Sequence, residues 1–493
     1  MTRSGVMVAA VDLGASSGRV VLGRSTDDGF ELHEVHRFPN EAVRAGGRLY
    51  WDVLSLFLGV GEGLRRAERE AGGPLDSIGV DSWAVDYGLL DADGALLGNP
   101  LCYREPHTEV TVEKILAELG ADVLYDHTGI QLQPFNTLFQ LLARQGSAQG
   151  AAAAHALLVP DLITHWLGGE QVTELTNAST TALLDPRTMQ WSQSLATRLG
   201  APVDLFAPLR APGEIVGELR TDLVTELGLA SAPAIATVPS HDTAAAVAGI
   251  PAAVADFGYV CTGTWALVGL ELDHPVITEE SRLANFTNEV GVDGSIRFLR
   301  NVTGFWLLQE CLREWRARGL DVDAPSLTDA AARTEGLRRL IDVQDPAFSA
   351  PGNMPDRIAD ACLRTSGATL TSPAETARCI FDSIALAVRR AIGDAMRLAD
   401  RPVSVVHIVG GGVSNALFCQ LVADACQLPV IAGPVEAASW GNAMFQARAL
   451  GRADTSMADI RGLIRRAVHP VTYRVASSHE PWQRAERVLQ DHG

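Results

Sequence analysis

Val11-Asp12-Leu13-Gly14-Ala15-Ser16-Ser17-Gly18-Arg19 joins two short apolar runs, residues 6–11 and 19–23, through a turn made only of small residues. That pattern predicts a strand–turn–strand hairpin. Glycines and small hydroxyl residues leave backbone N–H groups open and let phosphate oxygens approach closely. Asp12, at the strand end, is placed to hold Mg²⁺, usually through water, because magnesium prefers oxygen ligands and keeps its hydration. Arg19 offers a positive charge to a phosphate. The same residues also suit a tight hairpin in which Asp12 caps its own turn. The stretch is neither a P-loop nor a dinucleotide fingerprint, since it lacks Gly-Lys-Ser/Thr and a following helix.

Working outward, residues 30–38 alternate moderately and read as a third strand. Residues 52–70 read as a helix with Leu54, Leu58, Gly61 and Leu64 on one face, ended by Gly72-Gly73-Pro74. Residues 77–80 form a buried strand leading into Asp81-Ser82-Trp83-Ala84-Val85-Asp86. Trp83 and Tyr87 are either platforms for a sugar face or, more commonly for aromatics after a core strand, core residues. A similar plan recurs past the middle. Apolar runs at 259–260 and 266–272 flank Cys261-Thr262-Gly263-Thr264, which repeats the phosphate-turn logic. Residues 376–398 read as a long helix with Ile380, Ile384, Val388 and Ile392 in one stripe, and a strand at 403–409 runs into Gly410-Gly411-Gly412. A helix at 415–426 and a strand at 429–432 follow. An adenosine or its phosphates could lie against the triple glycine, which also suits a flexible turn. Two such halves predict a duplicated α/β domain with a cleft between the copies and a boundary near residues 240–255. The alanine run at 151–154 reads as ordinary helix or loop.

Composition narrows the function. At 493 residues the chain is too long for one ordinary core. Its formal charge of −19 repels nucleic acid, and basic spots such as Arg65-Arg66 and Arg465-Arg466 are only doublets. The seven cysteines are scattered, odd in number and free of any Cys-x-x-Cys pair, which argues against a disulfide framework or a zinc site and for a reducing compartment. The first apolar run is too short for a signal segment, and no window is long enough for a membrane span. The expectation is a cytoplasmic protein, a monomer or small homo-oligomer, without nucleic-acid or membrane partners.

Ser240-His241-Asp242-Thr243 follows the apolar run 235–238 and precedes the small residues 244–249. A carboxylate between a strand end and a helix start can take a proton from a substrate hydroxyl, and the helix N-terminus keeps it ionised. Asp242 or Ser240 also suits a plain N-cap. Asn301 precedes a helix at 305–315 and suits a cap as well; Gln309, one turn into that helix, suits an exposed polar position.

Together the strings DLGASSGR, DSWAVDYGLLD, SHDTAAAV, CTGTWAL, NVTGFWLLQ and HIVGGGVSNALFCQLVADACQLPVIAGPVEA resemble the FGGY carbohydrate kinase family, and within it the rhamnulokinase branch. The match runs in order from about residue 8 to residue 450. The resemblance implies two ribonuclease H-like domains of the actin and hexokinase type with an interdomain catalytic cleft. It divides the chain into an N-terminal kinase domain at 1–245, a C-terminal nucleotide-binding domain at 246–455 and an extension at 456–493. It implies transfer of the γ-phosphoryl group of ATP, with Mg²⁺, to the 1-hydroxyl of L-rhamnulose; the alternative is another ketose such as L-fuculose or L-xylulose. Carried over residue by residue, Asp242 is the general base, flanked at the sugar by His241 and Thr243, and Ala84 and Asn301 line the sugar site. Ala15, Ser16, Ser17, Gly18, Arg19, Thr264, Gln309 and Gly411 contact ATP. Two departures stand out: Ala15 replaces a threonine common in the family, as it does in the rhamnulokinase branch, and Ala84 replaces a glycine at a sugar contact.

Overall fold

The computed structural model describes residues 5–26, 29–263, 265–348, 350–452 and 456–492. Contacts group the chain into two compact units: 1–253 with 271–298 and 437–468, and 254–270 with 299–436 and 469–493. The division at 245/246 and 455/456 follows chain order; the compact units cut across it at 271–298 and 437–468.

The first unit is built on strands β1 (Met7–Leu13), β2 (Ser17–Thr26), β3 (Gly29–Pro39), β4 (Ser77–Ser82), β5 (Ile215–Glu218) and β6 (Ala234–Ala236), in the order β5-β6-β4-β1-β2-β3. β1 and β2 form the expected antiparallel hairpin, while β4 runs parallel to β1. Every residue of β4 is buried, as befits a parallel strand covered on both faces.

Helix α1 (Val53–Ala71) covers β2 and β3, but not with the face read from its leucines. Val53, Leu56, Val60, Leu64 and Ala67 are buried, whereas Leu54 and Leu58 are 57% and 71% exposed. The packed face is marked by glycines. A Cβ on Gly63 would lie 2.2 Å from Val20, and one on Gly59 would lie 2.6 Å from the ring of Phe38. The helix approaches the sheet too closely for side chains there, so its contact surface is hidden from a hydrophobicity pattern. Helix α2 (Asp242–Ala248) follows β6.

The second unit repeats the plan. β7 (Phe257–Thr262) and β8 (Trp265–Leu272) form an antiparallel hairpin. β9 (Thr287–Val290) and the start of β10 (Ile296–Thr303) belong to the first unit. With β11 (Val405–Gly410), β12 (Val430–Ala432) and β13 (Val471–Tyr473), the second sheet continues in the order β10-β8-β7-β11-β12-β13. β11 lies parallel to β7, as β4 does to β1. This is the duplicated α/β architecture expected from the two small-residue turns. Helix α3 (Trp306–Ala317) follows β10. Helix α4 (Pro373–Ala399), capped by Ser372, buries Ile380, Ile384, Val388 and Ile392 as its periodicity predicts. Helix α5 (Ala416–Cys426) links β11 to β12.

Helix α6 (Ala437–Ala449) returns to the first unit and packs on β1, β4 and α2. Residues 439–447 are buried on all sides. A Cβ on Gly441 would sit 2.0 Å from the Ala245 carbonyl, and one on Gly249 would sit 2.1 Å from that of Ala437, so α2 and α6 meet backbone to backbone. Gly441→Ala forces these helices apart and is expected to destabilise the protein by about 1–3 kcal/mol, read by denaturant unfolding; unchanged stability contradicts this packing. The seven cysteines are free. Among the described residues, no helix is long and apolar enough to cross a membrane.

Candidate active site

The first turn is a braced hairpin. Gly14 N donates to Ser17 O at 3.0 Å, and Asn40 holds the turn from outside, its Nδ2 donating to Gly14 O at 2.8 Å and its backbone N to Ser16 O at 3.2 Å. Ser16 is exposed while Ala15 and Ser17 are half-buried. Gly18 is required sterically, because a Cβ there would lie 2.4 Å from the Phe38 ring. Asp12 and Arg19 face each other across the hairpin, with Arg19 Nε and Nη2 each 2.9 Å from Asp12 Oδ2.

The β1–β4 register puts Asp81 beside Asp12. Asp81 is enclosed, and Asn442 Nδ2 of α6 donates to its Oδ2 at 2.6 Å. Burial pushes its carboxyl well above the ordinary range, and the negative charges of Asp12 and Asp242 push the same way. Its Oδ1 is buried without a hydrogen-bond partner. Asp81 carries no sequence signal that would place it beside Asp12, since nothing in a single strand reveals which residue its neighbour aligns with it.

Asp242 is also gathered here. Ser82 N donates to Ser240 O at 2.9 Å, tying the residues before α2 to the end of β4. Glu174 anchors them from the other side: its Oε2 accepts from Ser240 N at 3.0 Å and Ser240 Oγ at 2.8 Å. Burial raises the Glu174 carboxyl, and burial together with the Glu174 charge raises that of Asp161 well above the usual range. Neither Ser240 nor Asp242 is the N-cap of α2. His241 occupies that position without a side-chain capping bond, and Asp242 is the first helical residue, at the positive end of the backbone dipoles. Thr243 Oγ1 donates to Asp242 Oδ1 at 3.1 Å.

Ala84 sits, half-buried, in a tight turn closed by Asp86 N donating to Ala84 O at 2.9 Å. Val85 at its centre has φ +69°, a costly conformation for a β-branched residue. Asp86 holds it. Its Oδ2 accepts from Trp51 Nε1 at 2.5 Å, Trp83 Nε1 at 3.1 Å and Tyr103 N at 3.1 Å, and its Oδ1 from Gln140 Nε2 at 3.0 Å. Burial nevertheless pushes Asp86 up to about 6. Trp83 and Tyr87 are both buried, and Trp83 packs on Trp51 with ring centres 4.4 Å apart, so the core reading of these aromatics holds.

In the second unit, the hairpin turn and the triple glycine lock together. Thr262 Oγ1 donates to Val409 O at 2.6 Å and accepts from Gly412 N at 2.8 Å. Gly410 has φ +85°, and a Cβ there would lie 2.3 Å from Thr262 O. Gly411 is exposed with open space around its Cα. Thr264 lies outside the described residues. Asn301 is not a helix cap: it lies within β10, its carbonyl accepting from Gln344 Nε2 at 2.9 Å, and α3 begins after Phe305. Gln309 is exposed on α3.

A duplicated α/β chain with a carboxylate at a helix start in one half and a glycine turn locked to a hairpin in the other is what the resemblance to carbohydrate kinases implies. Residues 7–249 match the N-terminal domain, and residues 258–450 the C-terminal domain, of the FGGY family of carbohydrate kinases, and the chain belongs to that family. Among curated proteins it is 40% identical to the rhamnulokinase of Bacteroides thetaiotaomicron over 94% of this chain and 95% of that protein. It is likewise 40% identical to the rhamnulokinase of Pectobacterium carotovorum over 98% of this chain and 96% of that protein. Solved structures share the fold: the ligand-bound xylulose kinase of Lactobacillus acidophilus has a TM-score of 0.81 at 17% identity, covering 99% of this chain and 96% of that one. Plasmodium falciparum glycerol kinase with ADP has a TM-score of 0.77 at 15% identity, covering 98% of this chain and 97% of that one.

Proposed function

We propose that this carbohydrate kinase transfers the γ-phosphoryl group of ATP to the 1-hydroxyl of L-rhamnulose, giving L-rhamnulose 1-phosphate and ADP in L-rhamnose breakdown. The observation that carries the choice of sugar is 40% identity to rhamnulokinases over nearly the full length of both chains. Asp242 takes the proton of the attacking hydroxyl, while His241, Thr243, Ala84 and Asn301 hold the sugar. Ala15, Ser16, Ser17, Gly18 and Arg19 receive the phosphates, with Thr264, Gln309 and Gly411 on the nucleotide. Phosphoryl transfer asks the protein mainly for positioning and charge neutralisation, and these residues supply both.

Magnesium suits the donors present. Asp12 is a nearly enclosed carboxylate beside Arg19, a single oxygen donor at the strand end. Such a setting fits a hydrated ion that takes most of its ligands from water and phosphate. Asp12 would hold it, and the ion would offset phosphate charge. The free cysteines fit a reducing, cytoplasmic setting.

A panel of ketoses in a coupled ADP-release assay tests the substrate. L-rhamnulose is expected to be turned over best; strong turnover of L-fuculose or L-xylulose with little of L-rhamnulose overturns the choice.

A further inference from the structure

His241 lies between Asp242 and a buried ion pair for which the phosphoryl-transfer scheme above has no role. Arg297, from β10, has a side chain with no exposure, and Glu289, from β9, is 9% exposed. Arg297 Nη2 directs an N–H at His241 Nδ1, 3.0 Å away. Glu289 Oε2 lies 2.9 Å from the same guanidinium nitrogen and 3.3 Å from His241 Nδ1, so it balances the Arg297 charge and is the second group facing that ring nitrogen. Burial works to raise the Glu289 carboxyl, yet the Arg297 charge and the contact with His241 hold it below its ordinary range. On the far side of the ring, His241 Nε2 faces Asp242 Oδ1 at 3.4 Å.

Of the two contacts at Nδ1, the shorter, from Arg297 at 3.0 Å, has hydrogen-bond geometry, and it is the one that favours a tautomer. A guanidinium nitrogen can only donate. With Arg297 Nη2 donating to it, Nδ1 must present its lone pair; a proton on Nδ1 would set two donors face to face at 3.0 Å. The proton of the neutral ring therefore sits on Nε2, the nitrogen 3.4 Å from Asp242 Oδ1. Oδ1 of Asp242 accepts from Thr243 Oγ1–H and has His241 Nε2 3.4 Å away, which leaves Oδ2 to take the sugar proton.

We propose that Arg297, with Glu289 as its counter-charge, is a positioning residue for phosphoryl transfer: it fixes His241 as the Nε2–H tautomer, and that N–H orients the Asp242 carboxylate toward the sugar hydroxyl. The proposal rests on Asp242 being the base. Two measurements test it. ¹⁵N NMR of the sugar-free protein, with His241 assigned by the signals lost in His241→Gln, is expected to show a pyrrole-type Nε2 and a pyridine-type Nδ1. The double variant Arg297→Met/Glu289→Gln removes both charges together, so neither is stranded in the interior. It is expected to lose about 10- to 100-fold in kcat, with the KM values for sugar and ATP changing by less than about threefold, and to show mixed tautomers at His241. A pyrrole-type Nδ1 in the wild-type protein overturns the proposal, as does a folded double variant with wild-type kcat. If the double variant fails to fold, the wild-type spectrum decides. The spectrum needs no sugar, and kcat is read on whichever ketose the panel selects, so an error in the substrate leaves this test intact.

Discussion

Asp242→Asn is expected to lower kcat by about 10²–10⁴-fold, the contribution typical of a positioned general base. Asparagine keeps the size of the side chain and can still accept from Thr243 Oγ1 through its carbonyl oxygen, so α2 should form as before. What is lost is the capacity to take a proton. ATP affinity should be unchanged, because the residues assigned to the nucleotide lie in the turn at 14–19 and in the second unit. Equilibrium binding of a non-hydrolysable ATP analogue, measured beside steady-state kinetics, separates the two effects. Near-normal turnover in this variant removes Asp242 from the base role.

The second large effect is expected at Asp86, through stability. Asp86→Ala strands the buried N–H groups of Trp51, Trp83, Gln140 and Tyr103 that now point at one carboxylate. A buried donor left unpaired costs about 1–3 kcal/mol, so the summed loss is about 4 kcal/mol or more even with some entry of water. Gln140 can also donate to Phe135 O at 2.9 Å, which leaves the two indoles and Tyr103 as the main losses. The turn that presents Ala84 loosens with them, so the KM for sugar should rise more than that for ATP. A pH signature accompanies this. Burial raises Asp86 from 3.8 to about 6. A raised carboxyl favours folding while protonated; that stability is present below pH 4 and is lost as pH climbs through about 6. The change is on the order of 2–3 kcal/mol. Unfolding free energies between pH 4 and 8 should contain this decline in the wild type and lack it in Asp86→Ala. Equal slopes would place the titration elsewhere.

The hairpins and the long helix α4 were legible in the sequence because their signals are local: small residues between apolar runs, and isoleucines at helical spacing. The packed face of α1 was not, because glycines at 59 and 63 mark it by close approach while Leu54 and Leu58 point to solvent. Much of the site's framework was equally hidden. Asn442 reaches Asp81, Glu174 reaches Ser240, and Arg297 reaches His241 across separations of 361, 66 and 56 residues. No periodicity reports contacts over such distances. Asp242 stands out in the sequence as a candidate because its setting is compact, a strand end, a histidine and a run of alanines that begins a helix.

The most direct test of the central reading is NMR of the product formed from ATP, Mg²⁺ and L-rhamnulose. Phosphate on C1 of the sugar, formed in step with ADP, is the predicted result. Phosphate on another carbon, or ATP hydrolysis at a rate the sugar does not change, would contradict it.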